Sequence, residues 1–367
     1  MNSIERLAPL RVSWLTNVPA PYRVPIWDHL AKSVQLHVYF LLKEDNWRSW
    51  TLSGTPSWNW TYLSKFSVRI REFDFVPGIY GTRRILKQTD LVVVGGWEST
   101  SYFLTIMRAK RARIPVILFY ESTLQSRRFN GRIVRFIRSH IFLLADYVVT
   151  SGVASTKATI EIGVDPAKIL TLFNPVDVRF FADFSLFHRT EISTGHRFLY
   201  VGRLINLKNI FSLINAFASM RAPVDSLTIV GDGPLLSSLK ELTSELGLEN
   251  AIHFMGHHDQ LQVAQDYANA DTLVLPSTNE VWGLVVNEAL ASGIHVVVSS
   301  AAGVSEFVKP MKGAYVCEPT DIDLALALTQ SRSDWEGPIP NPEIVEYTPE
   351  RFAEALLGLV REIRLNL

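Results

Sequence analysis

The chain has 367 residues, of which 47% are hydrophobic and 20% charged, a balance typical of a globular protein with more than one core. Its single cysteine, Cys317, excludes an intrachain disulfide and suits a reducing compartment. Charged residues interrupt the apolar stretches before they reach the length of a membrane span, and Met1 to Leu10 lacks the apolar run of a signal peptide. We therefore expect a cytoplasmic protein without a transmembrane helix.

The net charge of zero conceals an asymmetry between the two halves. Residues 1–180 contain 24 Lys and Arg against 13 Asp and Glu, and residues 181–367 contain the other 12 basic and 23 acidic residues. A basic half can attract an anionic ligand or the anionic inner face of a cell membrane. Charges on ordinary solvated faces would give the same count. We expect no nucleic-acid partner.

Short apolar runs alternate with helical patterns along the chain, which indicates βαβ units and parallel sheets. In the first half the predicted strands are Leu10–Leu15, Gln35–Leu41, Leu91–Val94, Val116–Tyr120 and Tyr147–Thr150. The predicted helices between them are Ile26–Lys32, Ser101–Arg111 and Arg132–Leu144.

The second half repeats the alternation. Its predicted strands are Arg197–Val201, Ser226–Val230, Ile252–Met255, Thr272–Pro276 and His295–Ser299. Its predicted helices are Phe211–Met220, Leu235–Leu246, Gln260–Ala268, Val285–Ala291, Asp321–Ser331 and a last one from Glu350 to Arg364.

Two such series predict two doubly wound α/β domains. Asn174-Pro175 breaks the pattern, as expected at a linker. We place a first domain at residues 1–180, a second at 181–345, and a C-terminal helix at 346–367 that packs back on the first domain.

The segment from Ser277 to Ala289 carries the most specific chemical signal. It follows a buried strand and opens a helix, at the carboxyl edge of the sheet where α/β domains bind ligands. Gly283 permits close backbone approach, and the free amides around Leu284 and Val285 suit a diphosphate. Glu280 and Glu288 flank that position, and carboxylates there suit the hydroxyls of a ribose or sugar.

Two further clusters follow other strands of the same domain. Gly202-Arg203 ends one strand, and Lys208 comes five residues after the arginine, so two cations lie at one strand-to-helix turn. Such cations can contact phosphate oxygens. The turn Gly231-Asp232-Gly233 follows the next strand, and its glycines serve either a ligand or the turn itself.

In their order along the chain, these motifs resemble a known family. Gly-Arg-Leu…Lys, Gly-Asp-Gly-Pro-Leu, and Glu-x7-Glu followed by Ala-x-Ala-x-Gly are similar to the retaining glycosyltransferases of family 4, the glycosyl transferases group 1. The match covers nearly all of residues 197–310, and Asn174-Pro175-Val176-Asp177 resembles that family's linker. The resemblance implies a GT-B fold, in which two Rossmann-like domains face each other across a cleft.

The resemblance also implies roles for residues on the donor side. Arg203 and Lys208 would neutralise the donor diphosphate, Glu280 would contact the sugar hydroxyls, and Glu288 would contact the nucleotide ribose. Gly256 and His257 are expected beside the base, and Trp282 stands in place of the usual Phe. The other residues expected at the donor are Gly202, Asp232, Gly233, Gly283, Leu284 and Val285.

The N-terminal half departs from the family pattern. Many relatives carry a His after the strand Val116–Tyr120, whereas this chain has Glu121, which we expect in catalysis or acceptor binding. A structural hydrogen bond is the alternative for Glu121 and for Glu98. The other residues expected on the acceptor side are Asn17, Pro21, Tyr22 and Arg23, which resemble one branch of the family.

The arginines near residue 132 suggest a second kind of surface. The spacing of Arg132, Arg135 and Arg138, with Arg127 and Arg128 before them, places cations on one side of a helix and apolar residues on the other. This suits an anionic membrane surface or an acceptor pyrophosphate. An ordinary amphipathic helix packed on its own domain is equally consistent with the pattern.

The resulting hypothesis is a hexosyltransferase that uses a nucleotide-diphosphate sugar, UDP before GDP, and a saccharide or lipid-linked saccharide acceptor in cell-surface glycan synthesis. Its alternatives are transfer to a small soluble metabolite, a nucleotide-sugar 2-epimerase, and a non-catalytic nucleotide-sugar-binding scaffold. We expect no cofactor and no metal, because Asp321 and Asp323 suit a helix start better than an Asp-x-Asp metal motif.

Overall fold

The computed structural model describes residues 9–43, 55–63, 68–70, 73–75, 81–124, 131–189 and 195–365. The predicted cations Arg127 and Arg128 lie outside these ranges. Within the described part of the chain, no helix is long and apolar enough to cross a membrane.

The first domain is built on a sheet of seven parallel strands in the order β3-β2-β1-β6-β7-β8-β9. Its strands are β1 Arg11–Thr16, β2 Gln35–Phe40, β3 Asn59–Tyr62, β6 Leu91–Val94, β7 Val116–Tyr120, β8 Tyr147–Ser151 and β9 Ile169–Leu172. A separate antiparallel pair consists of β4 Val68–Ile70 and β5 Phe73–Phe75. The helices are α1 Val24–Leu30, α2 Gly81–Leu86, α3 Thr100–Arg111, α4 Arg132–Leu144 and α5 Gly152–Ile162.

The second domain is built on six parallel strands in the order β12-β11-β10-β13-β14-β15. Its strands are β10 Arg197–Val201, β11 Ser226–Val230, β12 Ile252–Gly256, β13 Thr272–Leu275, β14 His295–Ser299 and β15 Ala314–Cys317. The helices are α6 Val178–His188, α7 Ile210–Met220, α8 Leu236–Glu245, α9 Gln260–Ala268, α10 Leu284–Ala291, α11 Ser305–Val308, α12 Asp321–Ser333 and α13 Pro349–Leu365.

Local sequence accounts for the ends of several helices. A capping box between Asp259 and Gln262 starts α9, and the Thr320 hydroxyl accepts the Asp323 amide at the start of α12. Asp321 and Asp323 lie in that first turn, where carboxylates offset the positive end of the helix dipole.

The chain crosses between the two sheets after β9. Helix α6 follows the crossing and packs against α9 and α10 of the second domain. The predicted division at residue 180 falls inside α6, two residues after its start.

Helix α13 returns from the second domain to the first. It packs against α1, and the rings of Phe352 and Phe119 lie 6.0 Å apart. The Tyr147 hydroxyl donates to Glu362 Oε1 at 2.9 Å. The last helix therefore lies against the sheet of the first domain.

Candidate active site

The strand order of the second sheet reverses between β10 and β13, since β11 and β12 lie on one side of this pair and β14 and β15 on the other. Loops that leave two such neighbouring strands diverge and open a crevice at the carboxyl edge of the sheet. The segment Gly202–Asn209 follows β10, and the segment Ser277–Gly283 follows β13. The topology therefore places the two most informative predicted motifs side by side.

Lys208 and Glu280 meet in this crevice. Lys208 Nζ forms an ion pair with Glu280 Oε2, and the two side chains are 16% and 19% exposed. The backbone holds the pair in place, because Thr278 N donates to Leu207 O at 3.0 Å and Gly303 N donates to Glu280 O at 3.0 Å. A cation and a carboxylate, each partly exposed, therefore lie together in the crevice.

Arg203 lies on the same loop after β10 as Lys208, and its side chain is exposed. Its carbonyl accepts the Tyr200 hydroxyl at 2.9 Å. The next amide, Leu204 N, donates to Asp232 O at 2.9 Å. The backbone of Arg203 is therefore fixed, and its guanidinium remains accessible at the edge of the crevice.

The glycines of the loop after β11 serve packing. A Cβ on Gly231 would lie 1.8 Å from Gly202 O, and one on Gly233 would lie 2.4 Å from Leu204 O. Asp232 Oδ1 accepts the Gly233 amide at 2.8 Å. This loop packs directly on the loop that carries Arg203, and the close approach of the two backbones accounts for both glycines.

The loop after β12 borders the same edge. Gly256 has φ +75°, and its carbonyl accepts the Gly231 amide at 2.7 Å. The His257 side chain is exposed. Beside it, His258 Nδ1 lies 2.6 Å from Asp266 Oδ2 on α9. The structure therefore anchors the segment that we expect beside the base.

Helix α10 begins at the crevice. Gly283 precedes it with φ +104°, and a Cβ there would lie 2.5 Å from Leu275 Cδ2. Leu284 and Val285 form the first turn, where amides lack partners inside the helix. The helix dipole and these amides favour an anion beside Arg203 and Lys208.

Glu288 lies farther along α10 and is half-buried. The hydroxyl of the buried Tyr267 donates to Glu288 Oε2 at 2.8 Å. Burial raises the pKa of Glu288 to about 7, and the Tyr267 hydrogen bond offsets only part of that effect. The ionisation of Glu288 therefore changes close to neutral pH.

Trp282 lies away from the crevice surface. Its side chain is 2% exposed, and its ring contacts the start of α5, since a Cβ on Gly152 would lie 2.7 Å from Trp282 Cζ3. Trp282 Nε1 donates to Asn287 Oδ1 at 3.3 Å. The ring that we expected at the donor is instead buried where the two domains meet.

On the facing domain, Arg23 and Glu121 form a second ion pair. Arg23 Nη2 donates to Glu121 Oε1 at 2.6 Å, with the side chains 9% and 27% exposed. The guanidinium also lies 5.2 Å from the ring centre of Phe119. Burial alone would lower the pKa of Arg23, but the Glu121 carboxylate and Tyr22 outweigh burial and raise it. The cation is therefore permanent.

The remaining residues predicted on the acceptor side lie at the same edge of the first sheet. Asn17 follows β1 and Glu98 follows β6, and the strand order reverses between these neighbouring strands. Asn17 Oδ1 accepts the hydroxyl of the buried Tyr102 at 2.6 Å. Glu98, Asn17 and Pro21 are exposed, and Tyr22 is half-buried. The residues predicted to bind the acceptor thus lie at one edge of the first sheet.

Helix α4 differs from the predicted arrangement. Arg138 is 3% exposed, and its guanidinium lies 5.4 Å from the ring centre of Trp97, so it is not part of a cationic surface. The exposed side chains include Ile133 at 75% and Phe136 at 64%. The first half of this helix therefore exposes apolar side chains, whereas Arg138, Ile141 and Phe142 are buried against the domain.

Sequence reasoning missed Asn174 and Asn287 as site components. Asn174 Nδ2 donates to Glu121 Oε1 at 3.4 Å, and Asn287 Nδ2 donates to Asn174 O at 2.9 Å. A polar residue at an inward position of α10 was the available signal for Asn287. These bonds connect the Arg23–Glu121 pair to the second domain.

In the described ranges, no three His, Cys, Asp or Glu side chains come together as metal ligands would. Asp323 accepts the Thr320 hydroxyl at the start of α12. The carboxylates of this Asp-x-Asp sequence therefore have a role in the helix start.

Solved structures share this fold over nearly the whole chain. The Anabaena protein HepE in complex with UDP superposes with a TM-score of 0.70 at 17% identity, covering 98% of this chain and 100% of that one. The lipopolysaccharide outer core galactosyltransferase WaaB gives a TM-score of 0.71 at 16% identity, covering 95% and 99%. The predicted two-domain GT-B fold is confirmed.

The second half of the chain matches a family model. Residues 185–337 are similar to the family described as glycosyl transferases group 1. N-acetyl-alpha-D-glucosaminyl L-malate synthase of Bacillus anthracis is 31% identical over 164 residues, which are 43% of this chain and 42% of that protein. The chain spans less than half the length of the first curated relatives that it matches.

Proposed function

We propose that the chain is a retaining glycosyltransferase that moves a hexose-type sugar from a nucleotide-diphosphate sugar, UDP before GDP, to a hydroxyl of a saccharide or lipid-linked saccharide in cell-surface glycan synthesis. The observation that carries the proposal is the convergence of Arg203, Lys208, Glu280 and the start of α10 on one crevice. Cations and free amides suit a diphosphate, and the carboxylate suits sugar hydroxyls. HepE, which shares the fold, was solved with UDP.

The reaction exchanges one bond at the anomeric carbon for another. The bond from that carbon to the diphosphate oxygen breaks, and a bond to the acceptor oxygen forms on the same face of the sugar. The proton of the acceptor hydroxyl passes to an oxygen of the departing diphosphate. Arg203, Lys208 and the amides of Leu284 and Val285 would stabilise the charge that develops on this leaving group.

The acceptor is proposed to lie against the first domain. Glu121 Oε1 is occupied by Arg23 and Asn174, so Arg23 fixes the carboxylate and a hydroxyl can approach its other oxygen. An oriented hydroxyl near the anomeric carbon accelerates transfer by restricting motion before reaction. Asn17 and Glu98 lie at the same edge and would contact further acceptor hydroxyls.

A membrane-associated acceptor is supported by helix α4. Ile133, Phe136 and Ile137 are exposed on one face, and Arg132 and Arg135 are exposed beside them. An apolar stripe flanked by cations suits insertion at an anionic bilayer surface. We propose that α4 brings the first domain to the inner face of the membrane.

A donor screen followed by product analysis tests the proposal. UDP-, GDP-, ADP- and dTDP-sugars are compared by thermal shift, since a ligand at 100 times its dissociation constant stabilises by about 2.7 kcal/mol. NMR then gives the anomeric configuration of the product formed with saccharide or lipid-linked acceptors. Release of an epimerised sugar would indicate a 2-epimerase. Donor binding without turnover would indicate a non-catalytic scaffold, and transfer to a soluble metabolite would indicate that the acceptor is a small molecule. An inverted product would contradict retention.

A further inference from the structure

A continuous chain of polar contacts crosses the junction between the two domains. It runs from Arg23 to Glu121 at 2.6 Å, from Glu121 to Asn174 at 3.4 Å, from Asn174 to Asn287 at 2.9 Å, and from Asn287 to Trp282 at 3.3 Å. We call these five residues the junction chain. Arg23 and Glu121 belong to the first domain, Asn174 to the crossing, and Asn287 and Trp282 to the second domain.

Asn287 is the central member. Its side chain is fully buried, and Asn174 and Trp282 are 6% and 2% exposed. Both ends of the amide are used, because Nδ2 donates to Asn174 O and Oδ1 accepts Trp282 Nε1. Burying an amide costs free energy, and its hydrogen bonds offset that cost without adding much net stability. An apolar side chain at this position would leave Asn174 O and Trp282 Nε1 buried without these partners, so Asn287 holds the crossing and Trp282 in one arrangement.

The two ends of the junction chain adjoin the two sides of the crevice, although Trp282 itself is buried. Trp282 is adjacent to Gly283, which sets the start of α10, and two residues from Glu280. Arg23 and Glu121 lie on the edge proposed to hold the acceptor. Satisfied buried networks of this kind fix one arrangement of the groups that they join.

We infer that Asn287 is a positioning residue that holds the Arg23–Glu121 pair in register with the start of α10, so that an acceptor hydroxyl rather than water attacks the donor sugar. This inference rests on the proposed transfer reaction. It assigns Asn287 no contact with either substrate. A displacement of about 1 Å between reacting groups can lower a rate by about 100-fold, which sets the scale of the expected effect.

The test uses two substitutions in the full chain. Asn287→Leu removes both hydrogen bonds, and Asn287→Asp retains an acceptor for Trp282 Nε1 but, when ionised, cannot donate to Asn174 O. For each variant, donor dissociation constant, rate of transfer and rate of donor hydrolysis are measured. We expect donor affinity within about twofold of wild type, transfer lowered by about 10- to 100-fold, and a raised ratio of hydrolysis to transfer. Asn287→Asp decides the matter if Asn287→Leu does not fold.

A matched control separates positioning from lost stability. Thr272 is fully buried at the opposite end of β13, and its hydroxyl bonds with Ser331 Oγ and His196 Nε2 at 2.8 Å each. Thr272→Val should lower the unfolding temperature without changing the ratio of hydrolysis to transfer. A wild-type ratio in Asn287→Leu, or in Asn287→Asp at a pH that ionises the buried carboxyl, would overturn the inference. Equal loss of donor binding and transfer would overturn it as well. A wild-type protein that transfers no sugar would overturn the proposed function itself, and the inference with it.

Discussion

The ionisation of Glu288 gives a prediction about donor affinity and pH. Burial raises the pKa of this carboxyl to about 7, and the residue is proposed to accept hydrogen bonds from the ribose hydroxyls. The ionised carboxylate accepts two such bonds, whereas the protonated form offers a donor in place of one of them. Donor binding should therefore strengthen as the pH rises through 7.

The expected magnitude follows from the ionised fraction. With a pKa of about 7, the competent fraction is about 0.09 at pH 6 and about 0.9 at pH 8, and the apparent dissociation constant is the intrinsic one divided by that fraction. Donor affinity should then rise about tenfold between the two pH values, which corresponds to about 1.4 kcal/mol.

Calorimetric titration with an intact nucleotide-diphosphate sugar measures this change, because the diphosphate diester does not itself titrate between pH 6 and 8. Glu288→Gln is the matched control, since it retains the side-chain shape and every other titrating group. Its affinity should not vary over this range. A tenfold pH dependence that persists in Glu288→Gln, or affinity independent of pH in the wild type, would refute the assignment.

The same pKa shift affects stability. Folding raises the Glu288 pKa from its ordinary 4.5 to about 7, so the folded state holds a proton that the unfolded state has lost. Stability then falls as the pH rises from about 4.5 to 7. Glu288→Gln should raise the unfolding temperature at pH 8 and leave it nearly unchanged at pH 4, as scanning calorimetry would show.

Three further outcomes are expected. Arg203→Ala and Lys208→Ala each remove a contact to the leaving diphosphate and should cost about 2–4 kcal/mol in kcat/KM, roughly 30- to 1000-fold. Glu121→Gln keeps the shape but removes the charge, so turnover should slow while donor affinity, measured by calorimetry, stays almost unchanged. Arg132→Gln with Arg135→Gln should weaken sedimentation with anionic vesicles by about 1 kcal/mol per cation, and more salt should weaken it further.

The diphosphate and vesicle outcomes each have a control. Lys312→Ala removes an exposed cation of the second domain and should leave kcat/KM unchanged. Lys240→Gln, also exposed in that domain, should leave vesicle binding unchanged. Near-normal kcat/KM in Arg203→Ala would remove the diphosphate assignment, and full turnover in Glu121→Gln would make that residue structural. Without wild-type sedimentation at low salt, a soluble acceptor would be favoured.

The strands that the sequence marks most clearly include those buried along their whole length. Val116–Tyr120 and His295–Ser299 are buried at every position, so uninterrupted apolar runs mark them. The separate pair β4 and β5 was missed. In the two parallel sheets the strands missed were β3, β9 and β15, which lie at sheet edges. None of their positions is fully buried, and partial burial leaves no apolar run to detect.

Sequence also placed the loops of the crevice, because loops after neighbouring parallel strands must share one edge. It could not pair Arg23 with Glu121, since 98 residues separate them. The type of a side chain likewise does not show whether it points into the interior or toward solvent. Trp282 and Arg138 both turn into the interior, where an Asn and a Trp respectively contact them.

The return of α13 has a consequence for exchanging modules between such proteins. Leu356, Leu357 and Val360 meet Trp14 and Leu30 around a small apolar cavity in the first domain. Each large apolar side chain so buried stabilises by about 1.5–3 kcal/mol, and a whole domain is stable by only about 5–15 kcal/mol. A chimera that joins a foreign first domain to this second domain must therefore also carry the terminal helix of the foreign protein. If the two proteins are joined only at the crossing, α13 packs against a first domain whose surface does not fit it.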